Sequence, residues 1–270
     1  MAKILYCVSP IGLGHATRAV AVGQELAKKG HELVFATGGY AAEFLEGEGF
    51  RVEDAIVEPV PKVRGGEMKN AARWYFDYWR GYHRSRTALS RLLDLHRPGL
   101  VVGDEEFACL SLALERGLRH AMISDELELG FARGWLARRL EKRVGRWYKE
   151  LQRRVSLIII PEEGEDSGNI RHVGPVVRAR TKTRAQVFDE LALSGSNKLV
   201  LVSMSGSDVG DELLHRAIDA FQEAKIPLAQ LLVSGNRGPR VSGDCIRDLG
   251  MVRDNQNLVA ASDLVVTNGG

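Results

Sequence analysis

An apolar run, Ile4–Val8, passes directly into Ser9-Pro10-Ile11-Gly12-Leu13-Gly14-His15-Ala16-Thr17-Arg18, and a helical pattern then holds from Ala16 to Lys29. The order strand, glycine loop, helix commits this end of the chain to a βαβ beginning. Gly12 and Gly14 let the backbone pass close to a ligand. The first turn of the following helix offers unpaired N–H groups at the positive end of its dipole. His15 therefore stands where an anion or a polar hydroxyl would be held.

The same alternation continues through Glu32–Ala36, a short helix Ala41–Glu48, Phe50–Val52, Leu100–Gly103, a helix Phe107–Arg116, His120–Ser124 and Leu157–Ile160. Such alternation predicts parallel βαβ units with helices on both faces of the sheet. After Gly174 it restarts with Lys198–Val202 and runs on through Leu228–Val233, Ile246–Leu249 and Leu264–Thr267. The expected architecture is α/β, with two Rossmann-like, doubly wound domains over residues 1–174 and 175–270. Asn268-Gly269-Gly270 follows a strand directly, where a doubly wound domain would continue with a helix and more strands. The second domain is accordingly expected to be incomplete and the polypeptide truncated.

A formal net charge of +2 over 270 residues is too small to imply nucleic acid. Cys7, Cys109 and Cys245 are single and widely spaced, which fits a reduced compartment and supplies neither a metal set nor a disulfide framework. The chain enters a core strand with no basic region ahead of a long apolar run, so no signal peptide is expected, and no uncharged apolar stretch is long enough to span a bilayer. The absence of a Gly-x-Ser-x-Gly elbow argues against a serine hydrolase, and that of Gly-Lys-Ser/Thr against a nucleotide triphosphatase. Thr17 stands at the third glycine position of a dinucleotide fingerprint, which weakens a dehydrogenase reading. No Asp-x-Asp pair is present to hold a divalent metal on a sugar nucleotide, so metal-independent chemistry is favoured.

Two strands end in acids, at Asp104-Glu105-Glu106 and Asp125-Glu126, at the edge where open sheets bind ligands. Paired acids there serve either general-base chemistry or capping of the next helix. After a loop, Lys62–Glu67, a long helix carries Trp74, Tyr75, Tyr78, Trp79, Tyr82, Leu89, Leu92 and Leu93 on one face and Lys69, Arg73, Arg80, Arg84 and Arg91 on another. A second, from about Leu136 to Val155, has Leu136, Leu140, Val144, Trp147 and Leu151 in a stripe opposite Arg138, Arg139, Lys142, Arg143, Arg146, Lys149 and Arg153. Two basic, aromatic-rich helices in one domain suggest an anionic partner such as membrane headgroups or a lipid phosphate. Ser203-Met204-Ser205-Gly206-Ser207-Asp208-Val209-Gly210 is a second strand-to-helix loop, read either as a phosphate cradle or as a tight turn with Ser caps.

Gly-x-Gly-His-x-x-Arg at Gly12–Arg18, Gly174-Pro175-Val176-Val177-Arg178, the segment Leu201–Gly210 and Leu249-Gly250-Met251-Val252 leading to Asp263–Gly270 occur in that order. In this order they resemble the GT-B glycosyltransferases of family 28, including the bacterial transferase that adds N-acetylglucosamine to lipid I and uncharacterised archaeal-type relatives. The resemblance implies a UDP-linked or similar nucleotide-diphosphate sugar as donor, no cofactor, and a cleft between domains in which the second domain holds most of the donor. It implies donor contacts at Ser205, Gly206, Ser207, Arg178, Met251, Val252, Asn268, Gly269 and Gly270, with Gly12 and Gly14 at the floor. The ribose-holding acid of the family lies on a helix after the last loop, beyond Gly270.

For an inverting transfer to a hydroxyl, a base near neutral pKa must take the acceptor's proton. His15 is the expected base and Asp104 the alternative, while His15 as a loop-orienting or phosphate-binding group remains an equal reading. The expected function is a hexosyl transferase acting on a lipid-linked or otherwise anionic acceptor, cytoplasmic and peripheral at the inner face of the cell membrane. A nucleotide-sugar 2-epimerase of the same fold and a non-catalytic sugar-nucleotide-binding fragment are the alternatives.

Overall fold

In the computed structural model the first strand, β1 (Lys3–Val8), divides its side chains between two cores. Leu5 and Cys7 point to one face of the sheet, Ile4, Tyr6 and Val8 to the other, as the two-residue period of a strand requires. The structure describes all residues except 62, 65–66, 126–134, 204–210, 236–240, 244 and 268–270, and only the backbone of 63–64, 67 and 211–213. The chain divides into two units, Met1–Val177 and Arg178–Gly270.

The first unit continues with α1 (Gly14–Lys28), β2 (Glu32–Thr37), α2 (Gly39–Gly47), β3 (Val52–Asp54), β4 (Val63–Arg64), β5 (Glu67–Met68), α3 (Ala71–His96), β6 (Leu100–Asp104), α4 (Phe107–Glu115), β7 (His120–Ile123), α5 (Trp135–Arg154), β8 (Ile158–Ile160) and β9 (Ile170–His172). Seven strands form a parallel sheet in the order β3-β2-β1-β6-β7-β8-β9. α1 and α2 cover one face, burying Ala16, Ala19, Val20, Phe44 and Leu45 against β1 and β2. α3, α4 and α5 cover the other with Leu89, Leu93, Leu110, Leu112, Tyr148 and Leu151. Each fully buried large apolar side chain contributes roughly 1.5–3 kcal/mol relative to exposure.

Strand order reverses at β1, which pairs with β2 on one side and with β6 on the other. Val8 stands opposite Asp104 in that pairing, so the carboxyl ends of β1 and β6 meet at the switch point where doubly wound sheets open a crevice. The glycine loop leaves β1 there; Gly12, at φ +74°, takes the left-handed backbone that favours glycine.

Several sequence expectations shift. The segment expected as a loop over Lys62–Glu67 holds an antiparallel pair, β4 and β5. Trp79, placed on the core face of α3 by its period, is 57% exposed, and Phe76 beside it is exposed as well. Leu136 and Trp147 of the α5 stripe are also partly open, while Tyr148, one step round the wheel, is buried. The helix here rests on a groove instead of a closed core, so the buried sector is narrower than the apolar one. β9, an edge strand of three residues, is too short to leave a periodic signal.

α3 carries a glycine at mid-helix, Gly81, which is buried. A Cβ there would fall 2.4 Å from the Val57 carbonyl oxygen, so the helix and the segment Ile56–Pro59 can touch only without a side chain. Ser85 Oγ accepts from the Val57 amide at 2.9 Å, and Trp74 Nε1 donates to the Pro59 carbonyl at 2.7 Å. This irregular segment is thereby fixed along α3 at three points.

The second unit contains α6 (Arg184–Glu190), β10 (Lys198–Ser203), α7 (Asp211–Ala224), β11 (Ala229–Ser234), β12 (Ser242–Gly243), β13 (Ile246–Asp248), α8 (Asn255–Ala261) and β14 (Leu264–Thr267). Its sheet runs β12-β13-β11-β10-β14, parallel except for β12. Separate apolar clusters lie on its two faces, around Val202, Leu231 and Val233 and around Leu199, Leu201 and Leu232.

Candidate active site

α1 starts without a side-chain cap and without an acid in its first turn. His15, in that turn, sets its Nδ1 3.1 Å from Asp104 Oδ1 at the end of β6. Asp104 is fully buried and is held from several sides. Tyr6 donates its hydroxyl to Oδ2 at 3.2 Å, Arg18 Nε donates to Oδ2 at 3.0 Å, and Arg18 Nη2 donates to Oδ1. Arg18 also bonds Asp125 at the end of β7 through Nη1. His15 and Arg18 share one helix face by their i,i+3 spacing, so two strand-end acids are bound to one turn of α1.

Burial alone would raise the Asp104 carboxyl; the hydrogen bonds of His15 and Arg18 and the Arg18 charge overcome it and hold the group below the usual carboxylate range. Burial likewise opposes a charged His15, but the bond to Asp104, the Asp104 charge and the nearby Glu105 outweigh it, and the imidazole is pushed above its ordinary 6.5. Arg18 Nη2 also lies 3.1 Å from Nδ1; in the tautomer that carries its proton on Nδ1 toward Asp104, a neutral His15 has Nε2 as an acceptor, the geometry of a base oriented by a carboxylate.

The three acids at the end of β6, Asp104, Glu105 and Glu106, divide their tasks. Asp104 orients His15. Glu106 caps α4, accepting from the Ala108 and Cys109 amides at 3.1 and 2.8 Å. Glu105 adopts φ +50°, an uncommon conformation for a side chain of its size, and accepts from Ser124 Oγ and the Asp125 amide. Cys7, Glu106 and Cys109 bring their ligand atoms within 4.8 Å of one another. Both Glu106 oxygens are committed to α4, and Cys109 Sγ donates to the Glu106 carbonyl, so this set is spent within the core.

His15 opens on a cavity of about 290 Å³ lined by Ser9, Glu58 and Glu105 and by the rings of Trp74, Tyr78, Phe107 and Trp147. Glu58 and Tyr148 line this cavity and Arg18 bonds the Asp104 beside it, three positions for which the sequence assigns no role. Arg18 carried a usable signal: a cation near a helix N-terminus opposes the dipole and demands an acid. Glu58, between Val57 and Pro59 in an irregular segment, carried none.

In the second unit, Arg178 Nη1 donates to the Arg253 carbonyl at 2.5 Å, next to Met251 and Val252 in the turn after β13. Asn255, at the start of α8, donates to Ser203 Oγ at 2.9 Å and accepts from Ser234 Oγ at 2.8 Å, tying together the carboxyl ends of β10 and β11. Of the expected donor contacts, Arg178 is held through its Arg253 bond to the turn that carries Met251 and Val252. Ser205, Gly206, Ser207, Asn268, Gly269 and Gly270 lie outside the described residues, as does Glu126.

Both units have the fold found in GT-B glycosyltransferases. A glycosyltransferase of Streptomyces nogalater, SnogD, superposes with a TM-score of 0.66 at 18% identity, over 100% of this chain and 77% of its own. SsfS6 of Streptomyces sp. SF2575, in its complex with thymidine diphosphate, gives 0.63 at 15% identity, again over 100% and 77%. A family model described as Glycosyl transferase family 1 matches residues 2–128. An uncharacterised glycosyltransferase of Methanosarcina acetivorans is 24% identical over 289 aligned positions, covering 99% of this chain and 74% of the relative.

Proposed function

We propose that the protein is a glycosyltransferase that moves a sugar from a nucleotide-diphosphate sugar to a hydroxyl of an acceptor, with His15 as the general base. The observation that carries this reading is the contact of His15 Nδ1 with the buried Asp104 carboxylate, 3.1 Å away, at the mouth of a cavity. His15 Nε2 takes the hydroxyl proton while the acceptor oxygen bonds to the anomeric carbon. The bond from that carbon to the diphosphate oxygen breaks, and its electron pair leaves with the nucleotide diphosphate. The lack of an Asp-x-Asp pair supports a metal-independent transfer, and His15 acting on the acceptor hydroxyl fits an inverting one.

The thymidine diphosphate bound by SsfS6 supports a nucleotide-diphosphate donor. In this reading Arg178, Met251 and Val252, with Ser205–Ser207 and Asn268–Gly270, contact the donor, and Gly12 and Gly14 bring the α1 amides to it. A UDP-linked sugar is the donor that the resemblance to family 28 favours, together with a lipid-linked or other anionic acceptor. A basic face on α5, Arg138 to Arg154, lies beside exposed Phe76, Trp79, Trp135 and Leu136. It supports peripheral contact with an anionic membrane from the cytoplasmic side. Among the described residues no helix is long and apolar enough to cross a membrane.

The test is release of nucleotide diphosphate from UDP- and TDP-sugars with and without added glycolipid acceptors. Acceptor-dependent release that His15→Ala abolishes while donor binding persists supports the reading. Isomerisation of the donor alone would replace it with the 2-epimerase, and turnover unaffected by His15→Ala would remove His15 from the chemistry.

A further inference from the structure

The cavity beside His15 has an unusual wall. Its rings come from three helices: Trp74, Tyr75 and Tyr78 of α3, Phe107 of α4, and Trp147 and Tyr148 of α5. Trp74 stacks on Tyr78 with centroids 5.2 Å apart, and Phe107 meets Tyr148 edge-on at 5.1 Å. Among the described residues its charged groups are the carboxyls of Glu58 and Glu105 and the His15 imidazole, with no Lys or Arg. The guanidinium beside His15, that of Arg18, is spent on Asp104 and Asp125. Glu58 Oε2 accepts from Ser9 Oγ at 2.6 Å, while Oε1 has no partner among the described residues. Three contacts to α3, at Gly81, Ser85 and Trp74, fix the segment that carries Glu58. The carboxyl is thus held in place before any ligand arrives.

A pocket lined by acids and aromatic rings, with no Lys or Arg among its described residues, repels an anion and favours a cation, which gains from both the carboxylates and the rings. We propose that this cavity receives a protonated amine carried by the acceptor, held by Glu58 and Glu105 among the rings of α3, α4 and α5, beside the hydroxyl that His15 deprotonates. The proposal rests on the transferase reading in calling the ligand an acceptor and in setting its hydroxyl at His15. Any anionic part of the same acceptor lies outside this cavity.

The empty site is poised for such a ligand. Burial pushes the Glu58 carboxyl up to about 8, a shift opposed by the Ser9 bond and His15 and reinforced by Glu106 and Glu105. The titratable groups facing it are His15, Glu105, Glu106 and Tyr78. At neutral pH Glu58 therefore holds a proton until an ammonium group arrives and favours the carboxylate. Binding of an amine expels that proton, whereas binding of a neutral polyol does not.

Three ligands of similar size separate the possibilities: 2-aminoethyl, 2-hydroxyethyl and carboxymethyl β-D-glucoside, titrated into the chain without donor. Trp74 and Trp147 line the cavity, so tryptophan fluorescence reports occupancy, and calorimetry in two buffers of different ionisation enthalpy counts protons. The aminoethyl glucoside is expected to bind at least about tenfold more tightly than the other two, with proton release, and Glu58→Gln and Glu105→Gln are each expected to weaken it at least about tenfold. Near-UV circular dichroism of the variants guards against misfolding, and the three-ligand comparison on the unaltered chain needs no variant. Equal binding of the amino and hydroxy glucosides, preference for the carboxylate, or no binding of the amine overturns the proposal. Sugar transfer to a neutral acceptor alongside absent amine binding would defeat the amine site and leave the transferase standing. Amine binding with proton release and no transfer would do the reverse.

Discussion

Arg18 grips Asp104 through both carboxylate oxygens, Nε to Oδ2 at 3.0 Å and Nη2 to Oδ1 at 2.5 Å, in a site where Asp104 has no exposed surface. Removing one member of a buried pair leaves the other charge uncompensated at a cost of about 3–5 kcal/mol. Asp125 retains part of the Arg18 charge, so Asp104→Ala is expected to cost about 3 kcal/mol, read by urea unfolding at neutral pH. Because the Asp104 carboxyl is held below its unfolded value, its contribution is present at neutral pH and fades as pH falls through the folded value. The difference between the native protein and Asp104→Ala should therefore shrink in acid.

His15 is pushed above 6.5 by Asp104, which fixes the sign of a pH profile. A base must be neutral to work, so turnover is expected to rise with pH through a midpoint above 6.5. Asp104→Asn removes the charge that raises His15, and the midpoint should move down while the maximal rate falls by about 10²-fold or more. An unmoved midpoint would assign the limb to another group.

Gly103, in β6 next to Asp104, has no room for a methyl. A Cβ there would sit 2.5 Å from the Glu106 carbonyl oxygen and 2.8 Å from Leu110 Cγ. Gly103→Ala should force β6 and α4 apart and lower stability by about 1–3 kcal/mol, measured as a fall in Tm.

Phe76 and Trp79 stand out of α3 beside the basic face of α5. If the protein docks on anionic headgroups, binding to phosphatidylglycerol vesicles should weaken steeply with salt. Phe76→Ser with Trp79→Ser should reduce it at least about tenfold, without lowering Tm. Equal binding to neutral phosphatidylcholine vesicles would argue against the electrostatic part.

The strand-loop-helix at Ile4–Lys29 and the acid ending β6 were legible because period and punctuation are local properties. From them His15 and Asp104 could be named as rival bases. Their partnership was not legible, since it depends on β1 and β6 lying side by side although Val8 and Asp104 are far apart in sequence. Trp79 shows the opposite limit: helical period marks an apolar sector but not how much of it is covered. Arg178 stands by Met251 and Val252 through its bond to the Arg253 carbonyl, which no motif announces. Glu58 gave no signal because its position is dictated by α3, through residues that follow it in the chain.

Gly81 has a consequence for how such a site could change. The residue touches neither His15 nor Asp104, yet its missing methyl sets how near the Val57–Pro59 backbone, and Glu58 with it, comes to α3. Position 81 therefore works as a spacer. Each carbon added there would lift the acid-bearing wall outward and widen the chamber while the base and its carboxylate stay on α1 and β6, so that substrate size could drift independently of the chemistry.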